Sequence, residues 1–275
     1  MVGDIKHSLI DSGKMPVFFI GHGSPINIIL DNDFTRSLAK LGKSLPRPKA
    51  IMVVSAHWLT KGTYVTCTER PGTIYDFYGF PEELYNIKYP SSGSPKAAGL
   101  VKESVNKVKV NCNYDWGLDH ASWAILRHIY PKADIPVFEM SLDYSFNDWH
   151  PKSVQYHYEL ASDLAGLREK GILIIGSGNI VHNLELIDFQ NIDAKPYDWA
   201  VKIDEKMKSN LISRNHKELI NYPDMGKEAY LAIPTLDHYL PMIYAIALQD
   251  KNEPLTFIYE KFQNASISMR CFRIG

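Results

Sequence analysis

The sequence predicts an α/β fold: a single-domain, three-layer α/β/α arrangement around a mostly parallel or mixed central sheet. Two patterns carry this. Near-continuous apolar runs of strand length recur along the chain, and amphipathic segments of helical period separate them. A third observation is negative: no internal repeat, low-complexity tract or Pro/Gly-rich linker divides the 275 residues. One catalytic domain over residues 1–275 is expected, with residues 1–14 as an N-terminal extension.

The elements follow in order. "PVFFI" from Pro16, "AIMVVS" from Ala50, "IPVFEMS" from Ile135 and "GILIIGSG" from Gly171 are β-branched or aromatic runs that read as buried strands. Helical patterns begin near Asp33, Pro95, Ser122, Tyr197 and Tyr239. Another spans Pro151 to Arg168, where Val154, Tyr158, Ala161, Leu164 and Leu167 share one face and Pro151 suits the first turn. "PLTFIYE" from Pro254 and "ISMRCFRIG" from Ile267 alternate in polarity, as a hairpin added at one edge would. The stretch Pro71–Pro90, "PGTIYDFYGFPEELYNIKYP", is rich in aromatics but broken by Gly and Pro. It is either a lid or a surface excursion pinned by its own side chains.

Composition narrows the function. Lys plus Arg number 30 against 31 for Asp plus Glu, so the formal charge of -1 favours no nucleic-acid partner. The charged N-terminal stretch and the strand-length apolar runs predict neither a signal peptide nor a membrane span. Cys67, Cys112 and Cys271 are odd in number and form no CxxC pair, which predicts no disulfide framework, no thiolate metal site and a reducing cytoplasm.

The ten histidines hold the chemistry. His22 follows "VFFI" in "GHGSP", His57 follows "IMVVS" in "SAHW", and His182 follows "ILII" in "GSGNIVHN". His120 lies in "GLDHASW" and His238 in "TLDHYLP". Open α/β sheets bind ligands beyond the carboxyl ends of their strands, where three of these histidines fall. Taken singly, each is a hydrogen-bonded core imidazole or a cap; together they predict convergence. Several neutral imidazoles at one point suit a single divalent metal, Zn(II) or Fe(II). His7, His128, His150, His157 and His216 lack such context and read as structural or solvent-facing. No GxGxxG, Walker A or GxSxG sequence offers a competing chemistry.

The ordered set "GHGSP", "LPRPKAIMVVSAHW", "YDFYGFP", "GLDHASW", "GSGNIVHN" and "LDHYLP" closely resembles the DODA-type extradiol aromatic ring-opening dioxygenases, which belong with the class III, protocatechuate 4,5-dioxygenase type. The match runs from about Met15 to Gly275. The resemblance implies a phosphorylase/hydrolase-like sheet and a metal held by His22, His57 and His238. It makes His182 a fourth ligand or an acid/base, and places His120 in the pocket as a second catalytic histidine. Class III enzymes hold Fe(II) with two histidines and a glutamate; "TLDHY" puts His238 in the glutamate's place, with Asp237 beside it.

On that resemblance, the partners are a small aromatic diol and O2. Tyr75, Phe80, Trp58 and Trp123 are expected to line the ring. Two rivals stay open at this point: a zinc hydrolase, which would need a glutamate beside the histidines, and a non-enzymatic metal-binding protein. A monomer or a small homo-oligomer is expected.

Overall fold

The computed structural model describes residues 13–146 and 151–275. His7, His150 and most of the expected N-terminal extension lie outside the described residues. The strands are β1 (Val17–Gly21), β2 (Ala50–Thr60), β3 (Thr63–Thr66), β4 (Val110–Asn113), β5 (Val137–Asp143), β6 (Ile172–Gly178), β7 (Leu255–Tyr259), β8 (Phe262–Gln263), β9 (Ile267–Ser268) and β10 (Cys271–Ile274). The helices are α1 (Asp33–Ser44), α2 (Glu82–Tyr85), α3 (Pro95–Ser104), α4 (His120–Ile129), α5 (Pro151–Ser162), α6 (Asp198–Ile212), α7 (His216–Ile220), α8 (Lys227–Ala232) and α9 (Leu240–Ala247).

Eight strands form one mixed sheet in the order β4-β3-β5-β2-β6-β1-β10-β7, and β8 pairs with β9 apart from it. The four central strands, β5, β2, β6 and β1, run parallel. Successive side chains of a strand point to opposite faces. Val17 and Phe19 of β1, with Met52 and Val54 of β2, therefore enter one apolar layer, shared with α3, α5, α6 and α9. Phe18 and Ile20, with Ile51 and Val53, enter the other, under α1 and α4. Burying each such side chain contributes about 1.5–3 kcal/mol, which is why these strands lack polar alternation.

Local chemistry sets the helix starts. Asn32 and Thr35 cap α1 reciprocally, Ser94 caps α3 ahead of Pro95, and Asp119 caps α4 by accepting from the Ala121 amide. The C-terminal hairpin sits at the edge beyond β1, with β10 and β7 antiparallel, as its alternation predicted.

Several expectations need correction. β2 does not end before His57 but continues to Thr60 through a bulge: Val54 faces Met140 and Leu59 faces Leu142, so four β2 residues oppose the single residue Ser141. The helix from Pro151 stops at Ser162 as an α-helix, and Ala165–Leu167 form a separate 3-10 turn. "ISMRCFRIG" divides into β9 and β10. β3 and β4, four residues each, were not anticipated. With them comes a disulfide between Cys67 and Cys112, contrary to the expectation of unpaired thiols. Parallel pairing of β3 with β4 brings together residues 45 positions apart. Among the described residues, no helix is long and apolar enough to cross a membrane.

Candidate metal centre

Three backbone features deliver three imidazoles to one point. His22 follows the last residue of β1, and its amide continues the ladder to Gly178 O at 3.1 Å. Gly23 then turns the chain at φ +62°, a conformation L side chains rarely adopt. The β2 bulge carries His57, whose amide donates to Ser55 Oγ at 3.0 Å. His238 precedes α9 and lies against the end of β6, where a Cβ on Gly178 would overlap the His238 carbonyl oxygen. The small residues of "GSGN" thus admit another backbone rather than a ligand.

The rings of His22, His57 and His238 form a nearly equilateral triangle with centroids 5.0–5.3 Å apart, and one ligand atom from each lies within 4.8 Å of the others. Each Nδ1 is engaged on the far side. Ser177 Oγ donates to Ala121 O at 2.6 Å and so accepts from His22 Nδ1 at 3.1 Å. Asp237 accepts from His238 Nδ1 at 2.6 Å, and Asp76 lies 3.2 Å from His57 Nδ1. Acceptors at Nδ1 fix the proton there and leave each Nε2 with a free lone pair.

The Nε2 atoms of His22 and His57 are 3.2 Å apart. Two nitrogens bound tetrahedrally at 2.0–2.1 Å would be separated by about 3.3 Å. Burial first, and the neighbouring imidazoles second, hold His22 and His57 well below the usual histidine range, so both are neutral at pH 7. Neutral donors of that number and spacing fit one divalent metal.

Two further histidines border the triangle. His182 stacks on His238 with centroids 3.6 Å apart and planes 6° from parallel. Burial, then His238, lowers its basicity, while the Asp237 charge opposes them. The His120 centroid is 4.1 Å from that of His57, and its Nδ1 donates to Asp76 Oδ2 at 2.8 Å. Burial works against Asp76 ionising, yet the His120 hydrogen bond and charge hold its carboxyl below the usual range. Behind them Ser55 donates to buried Asp119 at 2.6 Å, and the Asp119 amide donates to Glu139 at 2.8 Å. Burial pushes Glu139 up to about 7 and raises Asp119 well above the ordinary carboxylate range.

The aromatic side chains sit differently from expectation. Trp123 is 0% exposed and donates to Ile74 O at 2.8 Å; Trp58 is 2% exposed and stacks on Trp116 at 5.4 Å. Both are packed in the interior rather than presented to a ligand. Tyr75 bonds Ile87 O at 2.7 Å, and Phe80 meets Phe77 edge-on at 5.5 Å. The ring that faces His120 is that of Phe77, at 5.5 Å and 89°. Pairings of Ile74 and Gly72 with Leu118, and of Tyr89 OH with Tyr130 O, fasten Pro71–Pro90 to the body. The segment is therefore a pinned excursion.

Asp76 escaped the sequence reading, although it lies within "YDFYGFP". An acid isolated in an aromatic loop was the available signal. Ser177 was equally silent, since only its neighbours in space give it a role. Of the histidines expected to be structural, His157 bridges Asp143 O and Tyr244 OH, His128 meets Asn27 O, and His216 lies between Tyr158 and Gln249.

Residues 17–269 match the family described as the catalytic LigB subunit of aromatic ring-opening dioxygenase. A 4,5-DOPA dioxygenase extradiol of Escherichia coli (strain K12) is 43% identical over 98% of each chain. One from Beta vulgaris is 31% identical over 93% of this chain and 95% of its own. The crystal structure of an uncharacterized protein from Escherichia coli K12 superposes with a TM-score of 0.81 at 40% identity, covering 95% of this chain and all of the other. The matched span holds the parallel core of the sheet and all five converging histidines, and the chain belongs to the LigB family of aromatic ring-opening dioxygenases.

Proposed function

We propose that this chain, acting as one catalytic domain, opens the ring of a catechol beside its diol and inserts both atoms of O2. The observation that carries the reading is the triangle of His22, His57 and His238, each with Nδ1 engaged outward and Nε2 free. The relatives named for 4,5-DOPA support DOPA or a similar catechol as substrate. Fe(II) is the working metal in this reading, because a redox-active ion at these nitrogens supplies the path for electron density from ring to dioxygen, whereas Zn(II) supplies Lewis acidity alone.

The chain's own residues do the remainder. His182, neutral and set beside His238, accepts a proton from the diol and later returns it. His120 has its Nδ1 proton committed to Asp76, which leaves Nε2 to accept a hydrogen bond from substrate or to hold a proton. Phe77 lays its ring edge against His120, while Tyr75 and Phe80 pack behind it and exclude water. Trp58 and Trp123 support these walls from the interior.

Among the described residues, the metal-ligand groups at the converging histidines include no glutamate to serve a zinc hydrolase, and the family match speaks against that alternative. The balanced charge supports a protein working apart from nucleic acid, and the proposal places it in the cytoplasm as a monomer or small homo-oligomer. In that compartment the Cys67–Cys112 disulfide would be exposed to reduction. The test is anaerobic reconstitution with Fe(II), then air and L-DOPA: the expected result is oxygen uptake and a yellow ring-opened product. A panel of catechols that consumes no oxygen overturns the proposal.

A further inference from the structure

We infer that Asp76 is a positioning residue that sets the proton placement and orientation of His57 and His120 together, and so joins the aromatic loop to the metal centre. One oxygen serves both rings: Asp76 Oδ2 is 2.8 Å from His120 Nδ1 and 3.2 Å from His57 Nδ1. The other, Oδ1, accepts from the His120 backbone amide at 2.9 Å, at the first residue of α4, where helix geometry leaves amides without intrahelical partners. A carboxylate only accepts, so each Nδ1 that donates to it carries hydrogen, and His57, which burial keeps neutral, is left with a bare Nε2. For His57 the bare Nε2 faces His22 Nε2 at 3.2 Å, in the proposed ligand set.

The loop leaves Asp76 little freedom. Ile74 O takes the Trp123 indole hydrogen bond on one side, and on the other Phe77 packs edge-on against the same His120 that Asp76 holds. Thr73 pairs with Leu118, two residues before His120. The wall beside the histidines and the orientation of one proposed ligand therefore share a single carboxylate. An amide in its place would turn one acceptor into a donor. A donor facing either Nδ1–H is repelled, and the affected imidazole must move its proton to Nε2, where it blocks the lone pair.

This inference rests on the three-histidine metal reading, and the experiment separates the two. Full-length wild type, Asp76→Asn, Asp76→Glu and His57→Ala are titrated with Co(II), followed by visible absorption. The metal-free proteins are examined by 15N NMR of the imidazoles, with His120→Gln used for assignment. The expected result is one Co(II) per wild-type chain, with binding weakened about 10- to 100-fold in Asp76→Asn and partly restored in Asp76→Glu. In the metal-free spectra His57 and His120 carry their protons on Nδ1 in wild type, and at least one moves to Nε2 in Asp76→Asn. Circular dichroism of Asp76→Asn matching wild type removes misfolding as the cause. Unchanged Co(II) binding with unchanged tautomers overturns the inference. Two Co(II) per chain, one of them lost in Asp76→Asn, also overturns it by making Asp76 a ligand. If wild type binds no Co(II), the metal reading fails instead, and the tautomers alone decide the role of Asp76.

Discussion

The imidazole of His182 lies flat on that of His238, 3.6 Å away and 6° from parallel, while the triangle of facing nitrogens is completed by His22, His57 and His238. The stack touches a proposed ligand without joining the set. Replacing either ring should therefore have a different consequence. His182→Ala is expected to retain metal at wild-type stoichiometry and to lose about 10²- to 10⁴-fold in kcat, the range of a missing acid/base. His238→Ala is expected to lose the metal itself. Elemental analysis beside steady-state kinetics on both variants checks this; metal loss in His182→Ala would make that residue a ligand.

Gly178 offers a test of the scaffold. A methyl at this position overlaps the His238 carbonyl oxygen, a backbone atom that cannot rotate away. Gly178→Ala is expected to destabilise the fold by about 1–3 kcal/mol through overpacking and to weaken metal binding although every histidine is intact. Urea unfolding and metal titration of the same preparation measure both effects.

The Cys67–Cys112 link closes a loop of 45 residues between the two outermost strands on the β4 side. Constraint of the unfolded chain by a loop of that length stabilises by about 4 kcal/mol. Dithiothreitol is expected to lower the urea midpoint of wild type and to leave a Cys67→Ser/Cys112→Ser double variant unmoved. Thiol counts on denatured protein should rise from one to three on reduction, with buried Cys271 the constant one.

His157 is buried between Asp143 O and Tyr244 OH, and burial lowers it to about 4. Its folded value lies below the unfolded 6.5, so the unfolded chain binds more protons between those limits. Stability from His157 is therefore complete above pH 6.5 and is lost as pH falls toward 4, by about 3 kcal/mol in all. Glu139, raised to about 7, acts in the opposite direction, since its stability is lost as pH rises from 4.5. The signature is thus a difference: wild type minus His157→Gln in urea unfolding free energy should shrink from pH 7 to pH 5. A constant difference would contradict the assignment.

The residues that announced themselves in the sequence were those whose role is local. Phe18 to Ile20 and Ile51 to Val54 are buried on both faces, and continuous apolarity is what that burial demands. The glycine beside His22 reports a left-handed turn, and the five converging histidines stand out by their loops. β3 and β4, "TYVT" and "VNCN", have no apolar run because they lie toward the sheet's edge, and without them the cysteine pair was invisible. Asp76 acts on His57 and His120, 19 and 44 positions away, and no periodicity encodes a bond between a loop and two such distant rings. Trp58 and Trp123 were placed at the site by residue type, whereas their volume is used to fill the interior.

The bulge in β2 has a consequence for how this chain can diverge. Three surplus residues between Val54 and Leu59 set which way His57 points, and side chains alternate with a period of two. Loss or gain of one residue before His57 would displace its ring from the triangle with His22 and His238, because between Val54 and Leu59 no regular pairing to β5 restores the register. Descendants can exchange one amino acid for another along this segment, but its length is locked, and the surrounding loops are where insertions can accumulate.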